Sequence, residues 1–84
     1  MDRVALVTGA SRGLGAEHSG FLARQGYDLV LTARGADALE EHARSLEGHG
    51  GRITSIAGDV SDPEHRARLA EAVESFGRLD LLVN

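Results

Sequence analysis

The chain lacks cysteine, so neither a disulfide nor a thiolate metal site can form. It lacks lysine as well: all nine basic residues are arginine. Tryptophan is absent and aromatic residues make up only 4%, so a core has to be assembled from Val, Leu, Ile and Ala. Positive charge is not in excess. The net charge of −4 argues against a broad nucleic-acid-binding surface. Long apolar runs are missing too. After Met1-Asp2-Arg3 the first apolar stretch, Val4 to Val7, is too short for a membrane span or a secretory signal. A soluble, cytoplasmic protein is expected, with no membrane and no nucleic acid among its partners. No segment repeats and none is of low complexity. The 84 residues allow one small domain or part of a larger one. Its core is thin, because a chain this short buries only about two-thirds of its unfolded surface.

What the chain has in quantity is glycine, with eleven residues. Three of them fall in Thr8-Gly9-Ala10-Ser11-Arg12-Gly13-Leu14-Gly15, directly after the strand-forming run Val4-Ala5-Leu6-Val7. Helical spacing follows. Strand, glycine-rich turn and helix, in that order, are what a phosphate-binding site needs. Gly9 lets the chain turn sharply out of the strand. Gly13 lets the backbone come close to a diphosphate, and Gly15 lets the helix pack tightly on the strand. The first N–H groups of the helix, Leu14 among them, have no partner inside it and favour an anion in front of them. The bland alternative is a structural turn before a helix.

Further along, the pattern alternates. The first helix is expected from Leu14 to Gln25, ending at Gly26, with Leu14, Phe21 and Leu22 on its inner face and His18 among them. Glu17 is expected in its first turn, near the phosphate position. Leu29 to Ala33 reads as a second strand, apolar throughout, as strands covered on both faces are. A second helix is expected from Asp37 to Glu47. Leu39, Ala43 and Leu46 form its inner stripe, and Glu40, Arg44 and His42 its exposed side. His49 falls in a loop. Ile53 to Ala57 is the third strand. Ser61-Asp62-Pro63-Glu64 then starts a third helix, with either Ser61 or Asp62 as its cap. That helix carries Leu69, Val73 and Phe76 inward, shows His65 to solvent and stops at Gly77. Leu79 to Val83 is the fourth strand. This β-α-β-α-β-α-β series predicts an α/β fold, a Rossmann-like doubly wound parallel sheet of order 3-2-1-4. A ligand is expected at the carboxyl ends, at the switch point between the first and fourth strands.

The spacing Thr8-Gly9-x-x-x-Gly13-x-Gly15 resembles the T-G-x-x-x-G-x-G motif of the short-chain dehydrogenase/reductase family. Asp59-Val60 resembles that family's adenine-contacting pair after its third strand. Leu79-Asp80-Leu81-Leu82-Val83-Asn84 resembles the lead-in to its N-N-A-G segment, whose first Asn ties neighbouring strands. The resemblance covers the whole chain. It implies an NAD(P)-binding half-domain over residues 1–84, truncated after the fourth strand, from an oxidoreductase acting on a carbonyl or alcohol substrate. It implies Gly9, Ser11, Arg12, Gly13, Leu14, Gly15, Arg34, Asp59 and Val60 as cofactor-binding positions. The family's catalytic Ser and Tyr-x-x-x-Lys have no counterpart here. The one tyrosine, Tyr27, precedes Leu31 by four positions and sits at a strand entrance, and lysine is absent. No catalytic residue and no metal site is expected, and the 84 residues alone are expected to be inactive. Cut at Asn84, the fourth strand would present an apolar edge, so self-association of the isolated chain is expected and a homo-oligomer is admitted.

Cofactor choice is read from the end of the second strand. NAD-preferring members of such folds place an acidic residue there, which accepts from the ribose hydroxyls and repels a 2′-phosphate. Here Ala33 holds the place and Arg34 follows. With Arg12 in the glycine loop, two guanidiniums could grip a phosphate, which predicts NADP in preference to NAD. Each arginine also has a plain reading as a solvated loop residue. The missing acidic residue also argues against a methyltransferase-like Rossmann domain. The remaining alternative is a non-catalytic nucleotide-binding or interaction module, or a decayed gene product, on the same half-fold.

Overall fold

Apolar side chains on both sides of the inner strands demand cover on both sides, and the fold supplies it. A computed structural model describes residues 3–84; Met1 and Asp2, the start of the segment read for a leader, lie outside the described residues. The elements are β1 (Val4–Thr8), α1 (Gly13–Arg24), β2 (Asp28–Ala33), α2 (Ala36–Ser45), β3 (Ile53–Ala57), α3 (Pro63–Phe76) and β4 (Leu81–Val83). All strand pairs are parallel and the order is β3-β2-β1-β4, as the alternating pattern predicts. Ala5 aligns with Leu29 and Leu81, and Leu29 with Ile53.

Alternate strand residues point to opposite faces. Ala5, Val7, Leu29 and Leu31 meet Leu22, Ala23, Leu39 and Ala43, so α1 and α2 share one face. Thr32 points the other way and meets α3 through His65. Leu29, Leu31 and Leu39 are fully buried, each contributing about 2 kcal/mol of apolar burial. β4 stays exposed, with Leu81 and Leu82 at the surface.

Four sequence expectations change. On α1, Leu14 and Phe21 are exposed, as is His18, while Ser19, Gly20, Leu22 and Ala23 face inward. The buried face is made of small residues beside Leu22, which a count of apolar side chains does not select; a Cβ on Gly20 would meet only the Arg24 side chain, at 3.2 Å. Glu17 lies beyond the first helical turn. His42 is half-buried instead of exposed: its Nε2 lies 2.8 Å from Ser19 Oγ, and burial lowers its pKa. His65, expected in solvent, is 1% exposed. Its Nε2 lies 2.7 Å from Thr32 Oγ1, and Nδ1 has no partner among the described residues. His65 stands four residues before Leu69, so the buried stripe of α3 begins one turn earlier than the apolar residues suggest. Boundaries shift by a residue or two: α1 and α2 start and end slightly earlier, β2 takes in Asp28, and β4 begins at Leu81.

The cap of α3 is Asp62, whose carboxylate accepts from the Glu64 N–H at 3.0 Å. Ser61 is engaged elsewhere. Gly77 closes the helix in the left-handed conformation.

At the amino ends of the sheet, two carboxylates tie strands together. Asp28, at the start of β2, accepts from the Arg52 backbone N–H at 2.8 Å and from its guanidinium at 3.3 Å. The same guanidinium lies 4.1 Å from the Phe76 ring centroid. Asp80 accepts from the Val4 N–H at 2.8 Å, joining β4 to β1.

Candidate functional site

The carboxyl ends of β1, β2 and β3 open into a cleft of about 430 Å³. Its floor is Thr8, Thr32 and Ala33; its walls are the glycine loop on one side and the β3 exit, Gly58 and Val60, on the other. The start of α2, Gly35 and Ala38, closes the outer end. Two backbone bonds fix the rim: Ala10 N–H to Thr32 C=O and Gly58 N–H to Ala33 C=O, both 3.0 Å. The cleft lies over β1 to β3, on one side of the switch point between β1 and β4. The glycine loop leads into α1 on the β2 side, which places the concavity there.

The glycine loop turns out of β1 and leads into α1 at the places its spacing predicts. Gly9 and Gly13 have φ of 58° and 51°, a region L side chains rarely adopt. A Cβ at either would meet nothing within 4 Å, so the space in front of Gly13 is open to a ligand. Gly15 is constrained differently. A Cβ there would overlap the Gly9 carbonyl oxygen and lie 2.8 Å from its carbon. The helix therefore packs on the turn with no room for a side chain. Arg12 is the N-cap of α1 and makes no side-chain cap bond, so the first N–H groups keep their donors for something else.

The other expected positions divide between the lining of the cleft and its surroundings. Gly9, Ser11, Arg12, Arg34 and Val60 line the cleft. Leu14 stands 70% exposed at the start of α1. Asp59 sits between two lining residues, and its Oδ2 receives Arg34 Nη2 at 3.3 Å. Its Oδ1 accepts both the backbone N–H and the hydroxyl of Ser61, each at 2.8 Å. Those two bonds, the backbone one first, and the Arg34 charge hold the Asp59 carboxyl below the usual carboxylate range. Asn84 reaches Thr8 Oγ1 at 3.3 Å, joining β4 to β1 at this end.

Two features escaped the sequence reading. One is the Arg34–Asp59 pair, 25 residues apart and brought together by the alignment of Ala33 with Ala57. The other is the buried ring beneath the cleft. A Cβ on Gly58 would fall onto the His65 imidazole, 2.7 Å from Cε1, so glycine at 58 lets the β3 exit cross over that ring.

A family model described as "short chain dehydrogenase" matches residues 3–84. The chain belongs to the short-chain dehydrogenase family. The A-factor type gamma-butyrolactone 1′-reductase (1S-forming) of Streptomyces virginiae is 43% identical over 84 residues, covering 99% of this chain and 33% of that protein. The crystal structure of L-sorbose reductase from Gluconobacter frateurii, complexed with NADPH and L-sorbose, superposes with a TM-score of 0.91 at 44% identity. It covers 99% of this chain and 32% of that one. An alcohol dehydrogenase from the archaeon Thermococcus sibiricus, complexed with 5-hydroxy-NADP, gives 0.87 at 38% identity, covering 98% and 36%. The short-chain dehydrogenase chain thus spans about a third of the length of these relatives. No helix among the described residues is long and apolar enough to cross a membrane.

Proposed function

We propose that residues 1–84 are the N-terminal dinucleotide-binding half-domain of a cytoplasmic short-chain dehydrogenase/reductase and that they hold NADP(H). Gly9, Ser11, Gly13, Leu14 and Gly15 form the diphosphate cradle, Asp59 and Val60 the adenine edge, and Arg12 and Arg34 the 2′-phosphate grip. The nicotinamide supplies or accepts a hydride when bound, and the substrate is a small carbonyl or alcohol. That substrate would be handled by a catalytic Ser and a Tyr-x-x-x-Lys, which these residues do not contain.

The observation that carries the reading is the placement of Arg12 and Arg34 around one cleft whose β2 end offers Ala33 instead of a carboxylate. A carboxylate there would accept from ribose hydroxyls and repel a 2′-phosphate; Ala33 does neither. Guanidiniums donate planar, paired hydrogen bonds to phosphate oxygens. The ligands of the sorbose reductase and of the Thermococcus sibiricus enzyme, NADPH and 5-hydroxy-NADP, support the same choice.

The test is Arg34→Ala in the longest form of the protein that carries this chain. NADP(H) affinity is expected to fall about tenfold or more and NAD(H) affinity to stay nearly constant. Ala33→Asp should move preference towards NAD(H). Equal loss of both cofactors on Arg34→Ala, or an initial preference for NAD(H), overturns the assignment.

A further inference from the structure

Arg34 does not wait free for a ligand. Its guanidinium is bonded to Asp59 across the rim, while Arg12, on the other side of the cleft, makes no ion pair among the described residues. Asp59 is the fixed member of the pair. Both Ser61 donors hold Oδ1, and the next backbone bond, Asp62 N–H to Asp59 C=O at 2.9 Å, locks the loop below it. Arg66 adds a fourth tie through its 2.9 Å bond to the Val60 carbonyl. Arg34 is the less restrained member: its side chain is 81% exposed against 43% for Asp59, and a single 3.3 Å bond is all that joins them.

A phosphate that enters the cleft to meet Arg34 meets this carboxylate too. It must draw the guanidinium away from a fixed anion and then sit near that anion. We propose that Asp59, oriented by Ser61, is a specificity-determining residue that tethers Arg34 and weakens its grip on a 2′-phosphate. NADP(H) preference is then a balance between Arg34 and its tether, and not a property of Arg34 alone. The inference rests on Arg34 as the 2′-phosphate ligand.

The experiment compares two probes that differ only in the 2′-phosphate, adenosine 2′,5′-bisphosphate and adenosine 5′-monophosphate. Their affinities are measured by titration calorimetry on the longest form of the protein carrying this chain. Asp59→Asn keeps an oxygen for both Ser61 donors, so the loop stays in place, while the charge is removed. Any change in the adenine contact acts on both probes equally and cancels in their ratio. The ratio favouring the bisphosphate should rise about two- to fivefold, the range an exposed ion pair covers, and the rise should shrink at high salt. In an Arg34→Ala background the same replacement should lose most of its effect.

Where the wild-type ratio is well above one, an unchanged or lowered ratio in Asp59→Asn overturns the tether. So does an equal rise with and without Arg34, which would mean bare charge repulsion. A wild-type ratio near one that stays there in Asp59→Asn instead refutes Arg34 as a 2′-phosphate ligand. A wild-type ratio near one that rises in Asp59→Asn supports the tether in its strongest form.

Discussion

The two ends of the sheet each carry an arginine–carboxylate pair at the same distance, 3.3 Å, and use it in opposite ways. At the amino end the side chain of Asp28 is 4% exposed, and it also accepts from a backbone N–H of the neighbouring strand entrance. At the carboxyl end Asp59 is 43% exposed and its arginine 81%. Burial makes the difference. A carboxylate out of water needs its partners, because removing one leaves a desolvated group unsatisfied. An exposed pair trades its partner for water at little cost. The amino-end pair is held by burial, and the carboxyl-end pair can exchange partners, as the ligand site proposed there requires.

The largest effect expected from this contrast is at Asp28. Asp28→Ala strips the Arg52 N–H of its acceptor and leaves a gap at the start of β2. Arg52 is itself 62% exposed and can be rehydrated, so the ion-pair share is discounted. The loss should be about 3 kcal/mol, read as a shift in the urea midpoint. A loss as small as that from Asp59→Asn would erase the distinction between the two ends.

Next comes Gly15→Ala. The added methyl would run into the Gly9 carbonyl, which is backbone and cannot swing aside. We expect about 2 kcal/mol of destabilisation together with weakened dinucleotide binding, since the turn that must move is the proposed cradle. Calorimetric unfolding and a cofactor titration on the same variant check both halves. Tight binding with wild-type stability would show that the close approach of helix and turn is not required.

Much of this was legible in the residues. The order of elements, the strand order and the glycine loop follow from local signals: apolar runs, helix caps and glycines at fixed offsets. What was not legible depends on tertiary packing or on register. The inner face of α1 carries Ser19 and Gly20, the serine hydroxyl lying 2.8 Å from His42 Nε2 on α2. A count of apolar side chains instead selects Leu14 and Phe21, which are exposed. His65 looked like a first-turn surface residue, yet Thr32 from the far side of β2 gives its Nε2 a partner. The Arg34–Asp59 pair exists only because β2 and β3 align Ala33 with Ala57, and no local pattern reports that register.

A smaller effect is expected in acid. The Arg78 guanidinium, then the Val4 N–H, hold the Asp80 carboxyl below the usual carboxylate range. A group whose pKa is lower folded than unfolded favours the folded state while it is ionised. Its contribution is complete above the unfolded value, about 4, and is lost as pH falls through the folded value. Asp59 is shifted in the same direction and adds to the same acid limb. Asp80→Asn removes one titration, so its melting temperature should be lower at neutral pH and should fall less steeply below about pH 4 than the parent's. Parallel curves for parent and variant would show that Asp80 does not link β4 to β1 through its charge.

The smallest expected effect is also the one that most sharpens the comparison. Arg34→Ala should change the melting temperature by less than about 3 °C. The Arg34 side chain is 81% exposed, and its ion pair with Asp59 is solvated on both sides. Asp59 keeps its two Ser61 donors when the arginine is gone, so no buried acceptor is stranded. The same substitution at the other end, Arg52→Ala, also removes the stacking on Phe76 and one donor to the buried Asp28, and should cost visibly more. Melting curves for the two alanine variants, side by side, decide the matter. An Arg34 variant that melts as early as the Arg52 variant would mean that the carboxyl-end pair holds the fold together. A residue so engaged could not be released to a phosphate at low cost, and the grip proposed for Arg34 would have to be assigned to Arg12 alone.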